Sequence, residues 1–123
     1  MAKIFVLEDD KDIREVIEWT LESEDYGVVS FDSVSTFMGR DISELPDLFI
    51  LDIMLLDGSG LDVCKMLNKD KIYQHIPILM MSAHASIDQI NMCCKANGFI
   101  QKPFELGHFL TSIKNQIDAN STS

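Results

Sequence analysis

Positive charge is scarce in this chain. Its 123 residues carry 10 Lys and Arg against 20 Asp and Glu, a formal net charge of −10. That balance argues against direct nucleic-acid binding, which relies on Lys and Arg to neutralise phosphates. It suits cations and basic partner surfaces instead. Long apolar runs are missing too, and none approaches the length of a membrane span. The opening stretch, Met1 to Leu7, has one Lys and an apolar run too short for a secretory signal. We therefore expect a cytoplasmic protein with no membrane association. Cysteine is sparse and unpatterned: Cys64, Cys93 and Cys94 are odd in number and show neither CxxC nor zinc-type Cys/His spacing. In a reducing cytosol they read as free thiols.

What remains is 46% apolar and 24% charged, enough for one compact domain with one core. The hydrophobic period switches repeatedly along it. Lys3–Leu7 is an apolar run of strand length, and Ile13, Val16, Ile17, Thr20 and Leu21 then fall on one helical face. Asp12 with Glu15 fits a capping box for that helix, and Asp10 is the alternative N-cap. Trp19 lies off the stripe and should be at least partly exposed. Tyr26-Gly27 breaks the helix before a second strand, Val28–Phe31, and Ser33–Met38 is a short helix candidate. Leu48–Leu51 is continuously apolar and ends in Asp52, and Gly58 and Gly60 punctuate a loop in which Ser59 can cap the helix carrying Leu61, Cys64 and Leu67. Pro77 opens a fourth apolar run, and Ser86 with Gln89 suggests a second capping box. Phe99–Gln101 is a brief last strand, followed by a helical stripe from Leu106 to Ile117. Strand and helix thus alternate about five times. Strands without polar alternation imply a parallel sheet covered on both faces by helices, an α/β domain. We assign residues 1–118 to that domain and 119–123 to a disordered polar tail.

Polar residues follow four of the strands: Glu8-Asp9-Asp10, Asp52, Ser82 and Lys102. Parallel strands deliver all of them to one sheet edge, where open α/β sheets bind ligands. Clustered carboxylates repel unless one protonates or a cation sits among them. A hard divalent cation such as Mg²⁺ takes such oxygens. With a lysine and a hydroxyl nearby, the set suits a phosphoryl group, and one carboxylate could be the nucleophile. Singly, each residue has a plainer reading: a helix cap for Asp10, a turn residue for Asp52, a surface lysine for Lys102. Their joint placement carries the signal.

These residues resemble the receiver domain of two-component response regulators, of the chemotaxis-regulator type. The likeness rests on "VLEDD", "FILDIMLLDGSG", "ILMMSA" and "GFIQKPF", in order, from about Lys3 to Ile117. It implies a flavodoxin-like doubly wound (βα)5 fold with strand order 2-1-3-4-5. It implies that Asp52 is the phosphoacceptor, and that Asp9, Asp52, the Met54 carbonyl and, through water, Glu8 hold Mg²⁺, with Mn²⁺ able to stand in. Lys102 and Ser82 would bind phosphoryl oxygens, Ser82 and Phe99 would form the switch, and Met54 and His84 would tune the lifetime of the phosphate. For Phe99 and Met54, core packing and loop covering are the alternatives. Asp10 falls outside the acidic pair and is assigned to the helix cap. The Lys102–Pro103 bond is expected to be cis.

Three residues depart from the family pattern: Leu56 where Pro is common, Lys95 where Gly is frequent, and Phe99 where Tyr is commoner. The implied activity is that of a phosphorelay switch rather than an enzyme. The phosphoryl donor would be a sensor histidine kinase or a histidine phosphotransfer protein. The helix 4–strand 5–helix 5 face would act on a downstream protein or a fused output domain. The alternatives are a Mg²⁺-dependent phosphatase or phosphotransferase with an Asp nucleophile, a flavodoxin-like cofactor binder, and a degenerate receiver acting by contacts alone. The first would want a proton-carrying residue at Met54, and "EDDKD" would repel the cofactor phosphate of the second.

Overall fold

The computed structural model describes residues 1–84 and 87–121. Five strands, β1 (Lys3–Leu7), β2 (Gly27–Phe31), β3 (Leu48–Asp52), β4 (Ile78–Ser82) and β5 (Gly98–Gln101), form one sheet. Its order is β2-β1-β3-β4-β5, and every pairing is parallel. Between them run α1 (Lys11–Glu22), α2 (Val34–Met38), α3 (Gly60–Lys69) and α4 (Ile87–Cys93), and α5 (Leu106–Ser121) follows β5. This is the doubly wound architecture expected from the sequence.

The missing alternation in the strands has a direct cause. In-register neighbours Phe5 and Phe49, Leu7 and Leu51, with Ile78 and Met80, face a cluster with Phe37, Val63, Leu67 and Ile90 from α2, α3 and α4. Ile4, Val6, Leu48, Ile50, Leu79 and Met81 face the other side, against Ile17 and Leu21 of α1 and Phe109 and Ile113 of α5. From Ile4 to Leu7 of β1, and along all of β3 and β4, each residue therefore leaves water whichever way it points. Each such side chain contributes about 1.5–3 kcal/mol of burial.

Local signals set the element ends. Asp10, not an Asp12–Glu15 box, caps α1: its carboxylate accepts from the Asp12 and Ile13 amides. Trp19 is 71% exposed. Asp25 turns the chain into β2 at φ 64°, a left-handed conformation that Asp tolerates better than most. Ser33 and Thr36 form a capping box on α2, and Ser59 caps α3. The Ser86 cap expected for α4 lies outside the described residues. Helix α5 runs on through Ser121, into the segment the sequence reading gave to the tail, and nothing in Asp118–Ser121 is a helix breaker.

One element was not foreseen. The loop after β3 contains a two-residue hairpin, Met54–Leu55 paired antiparallel with Gly58–Ser59. It stands at the carboxyl edge of the sheet, beside the polar strand ends.

Candidate phosphoacceptor and metal site

Each polar residue at that edge is placed by the strand before it. Glu8 extends β1 by one rung, its amide donating to the Phe31 carbonyl at 3.1 Å, so its side chain points into the fold and is fully buried. Arg14 Nη1 donates to the Glu8 carbonyl at 3.0 Å, tying α1 back to the strand end. Asp52 ends β3 and is 5% exposed. Ser82 ends β4 and is buried, its Oγ accepting from the His84 amide at 3.1 Å. The Lys102 amide donates to the Ser82 carbonyl at 2.9 Å, and a cis Lys102–Pro103 bond turns the chain away.

The side chains converge on a cleft of about 310 Å³. Lys102 Nζ lies 2.5 Å from Glu8 Oε1 and 3.2 Å from Asp52 Oδ2. Glu8, Asp9 and Asp52 each bring an oxygen within 4.8 Å of the other two. Asp9 is half-buried, and its Oδ2 accepts the Leu56 amide at 2.9 Å. Asp10 also lines the cleft but stands outside this group of three: its Oδ1 accepts the Asp12 and Ile13 amides, and its own amide lies 3.4 Å from Glu8 Oε2. Met54, 64% exposed, and exposed His84 stand at the rim. Phe99 is half-buried, beside Met80 in register, against the α3–α4 cluster.

Three carboxylates and one ammonium leave this cleft short of positive charge. Burial pushes the Glu8 carboxyl up to about 7; its hydrogen bond with Asp52 and the Asp52 charge push the same way, and Lys102 only partly offsets them. Burial works against the Lys102 ammonium. Its bond to Glu8, the charges of Asp52 and Glu8 and its bond to Asp52 outweigh that and hold its pKa above the ordinary lysine value. An all-oxygen donor set with unbalanced negative charge fits a hard divalent cation.

Sequence reasoning assigned Lys102 to a phosphoryl oxygen and Glu8 to a water-mediated contact. In the structure the two residues meet directly. It missed the role of Gly60. A Cβ built there would stand 2.0 Å from the Asp52 carbonyl oxygen and 2.8 Å from its carbon, and the Gly60 amide donates to the Ile53 carbonyl at 2.9 Å. The first turn of α3 thus rests on the backbone of Asp52 itself. A glycine eight residues after the acid, at a helix start, was the available signal.

Residues 4–114 match the response regulator receiver domain. The phosphate regulon transcriptional regulatory protein PhoB of Klebsiella pneumoniae is 31% identical over 91% of the chain. The alkaline phosphatase synthesis transcriptional regulatory protein PhoP of Bacillus subtilis is 32% identical over 83%. The chain spans 50% and 42% of their respective lengths. A CheY-like receiver domain protein of Methanospirillum hungatei superposes with a TM-score of 0.89 at 22% identity, covering 99% of this chain and 98% of its own. Family match and fold agree, and the chain belongs to the response regulator receiver domain family, a family of phosphoacceptor signalling switches.

Proposed function

We propose that Asp52 accepts a phosphoryl group from the phosphohistidine of a sensor histidine kinase or histidine phosphotransfer protein. The observation that carries this reading is the Asp52 carboxylate, buried at a strand end, paired with Lys102 and within reach of two further carboxylates. An Asp52 oxygen forms the new O–P bond as the N–P bond breaks, and the imidazole leaves with its electron pair. Lys102, 3.2 Å from Asp52 Oδ2, is placed to take a phosphoryl oxygen. The Ser82 hydroxyl, buried beside it, takes another. Glu8, Asp9, Asp52 and the Met54 carbonyl would hold Mg²⁺, or Mn²⁺ in its place. The ion supplies charge neutralisation to the phosphoryl oxygens.

Ser82 drawn toward the phosphate, with Phe99 closing behind it, shifts the population of α4–β5–α5 surfaces. That surface addresses a protein target or an output domain fused to residues 1–118. Met54 and His84 at the rim govern access of water to the phosphate. Among the described residues no helix is long and apolar enough to cross a membrane, and the proposed place of action is the cytoplasm. A phosphohydrolase reading finds no acid or base at position 54, where Met54 carries no exchangeable proton.

The test is mass spectrometry after incubation with acetyl phosphate and Mg²⁺. Wild type should gain one phosphoryl group, and Asp52→Asn should gain none. A wild type unmodified by acetyl phosphate and by purified kinases would refute the proposal.

A further inference from the structure

The hairpin after β3 is held at its tip on two sides. Its turn residues are Leu56 and Asp57. The Leu56 amide donates to Asp9 Oδ2 across 47 residues of sequence. Asp57 turns its carboxylate the other way and accepts the Val34 amide at 2.9 Å and the Ser35 amide at 3.0 Å. Those are the first amides of α2, which a helix cannot satisfy by itself. The same two bonds hold the Asp57 carboxyl below its ordinary value. Val34 also closes on the far side of the turn, where a Cβ at Gly58 would stand 3.1 Å from Val34 Cγ2. The Leu56 side chain is 96% exposed, so packing does not position this residue; the hairpin pairing and the Asp57 carboxylate beside it do.

Asp9 is the beneficiary. Among the described residues, no hydrogen bond other than that from Leu56 restrains its carboxylate. A carboxylate with one oxygen taken by an amide presents the other in a narrow range of directions. Hydrogen bonds of this kind to a ligating carboxylate typically carry a factor of about 10–100 in metal affinity.

We infer that Asp57 is a positioning residue for the metal site: by anchoring the hairpin tip to α2 it holds the Leu56 amide against Asp9 and fixes how Asp9 meets a divalent cation. The inference rests on the metal reading proposed above and extends it to a residue outside the cleft. It also joins site occupancy to α2, because any restraint on Asp9 passes through the same turn to the Val34 and Ser35 amides.

The test is an NMR titration of the full chain with Mg²⁺ alone, read at the Glu8–Asp10 amides, for wild type, Asp57→Ala and Asp57→Asn. Asp57→Ala should weaken Mg²⁺ binding on the order of 10-fold. Asp57→Asn lacks the charge but keeps a carbonyl acceptor for the α2 amides, and should recover most of the loss. In wild type, saturating Mg²⁺ should slow solvent exchange at Leu56, Val34 and Ser35. That readout needs no variant to fold. Unchanged affinity in Asp57→Ala, equal weakening in Ala and Asn, or exchange at those amides indifferent to bound Mg²⁺ would overturn the inference alone. A wild type with no response at Glu8–Asp10 would overturn the metal reading and this inference with it.

Discussion

Replacing Gly60 with alanine tests how closely α3 is seated on Asp52, the proposed phosphoacceptor. The added methyl would stand 2.0 Å from the Asp52 carbonyl oxygen, where ordinary contact begins at 3.4 Å. Either the start of α3 or the end of β3 must therefore retreat by about 1.4 Å, the difference of those two distances. Neither is free to move. Gly60 bonds back to Ile53, whose amide donates to the Met81 carbonyl of the neighbouring strand. Backbone, not a flexible side chain, is what the methyl meets. In a helix free of contacts, Gly→Ala would stabilise by about 1 kcal/mol. Overpacking against a fixed backbone typically costs about 1–3 kcal/mol and is felt more where nothing can yield. The expected net change is a loss on the order of 2 kcal/mol, or a Tm lower by roughly 5–10 °C. Function should suffer more than stability. A displacement near 1 Å at the reacting group is worth up to about 100-fold in rate, so phosphorylation by acetyl phosphate should slow by at least about 10-fold. Urea unfolding and timed mass spectrometry read the two effects separately. A variant that gains stability and keeps its rate would show that helix propensity alone governs position 60, and the seating argument would fail.

Three further outcomes follow from the site. Glu8, with its pKa raised to about 7 from an ordinary 4.5, stabilises the metal-free fold fully below pH 4.5 and loses that contribution as pH rises through 7. Urea unfolding in chelator should therefore show stability falling across that window by on the order of 3 kcal/mol at most. Glu8→Gln should flatten the fall, and an unchanged slope would rule out Glu8 as its source. Asp10→Ala should cost about 1 kcal/mol of stability through the lost α1 cap and leave Mg²⁺ binding unaltered; weakened Mg²⁺ binding in a titration would place Asp10 in the metal shell. Met54→Asn should shorten the life of the aspartyl phosphate by admitting water at the rim, measured as the rate of phosphate loss after the donor is removed. Equal rates would leave Met54 as a cover for the loop.

The sheet was legible because its physics is written in runs. Phe49–Leu51 and Leu79–Met81 are apolar at every position since both faces are covered, and that signature needs no knowledge of partners. The acid edge was legible because parallel strands send their polar terminators the same way. What escaped depends on space or on backbone. The Met54–Ser59 hairpin has strands of two residues, too short to display any period. Leu56 contributes an amide that nearly any residue would supply, so its identity carries no mark of the bond to Asp9. Asp57 caps a helix that begins 23 residues earlier, where no capping pattern would look. Gly60 looked like punctuation, and only the position of the Asp52 carbonyl reveals the space it preserves. Asp10 was read from the sequence as a helix cap and is one; the direct meeting of Glu8 with Lys102 was not, because only the register of β1 sends Glu8 inward.

The pairing of Glu8 with Lys102 spans 94 residues, from just past the first strand to just past the last. Every acidic member of the cleft is already synthesised when Lys102 is not. A chain emerging from the ribosome without β5 would hold three mutually repelling carboxylates and no side-chain cation to steady them. The cleft as described is therefore a property of the assembled sheet rather than of any one strand end. The closing residue of the acid cleft is thus drawn from the far end of the sheet, and the charge balance of the cleft depends on β5 being docked.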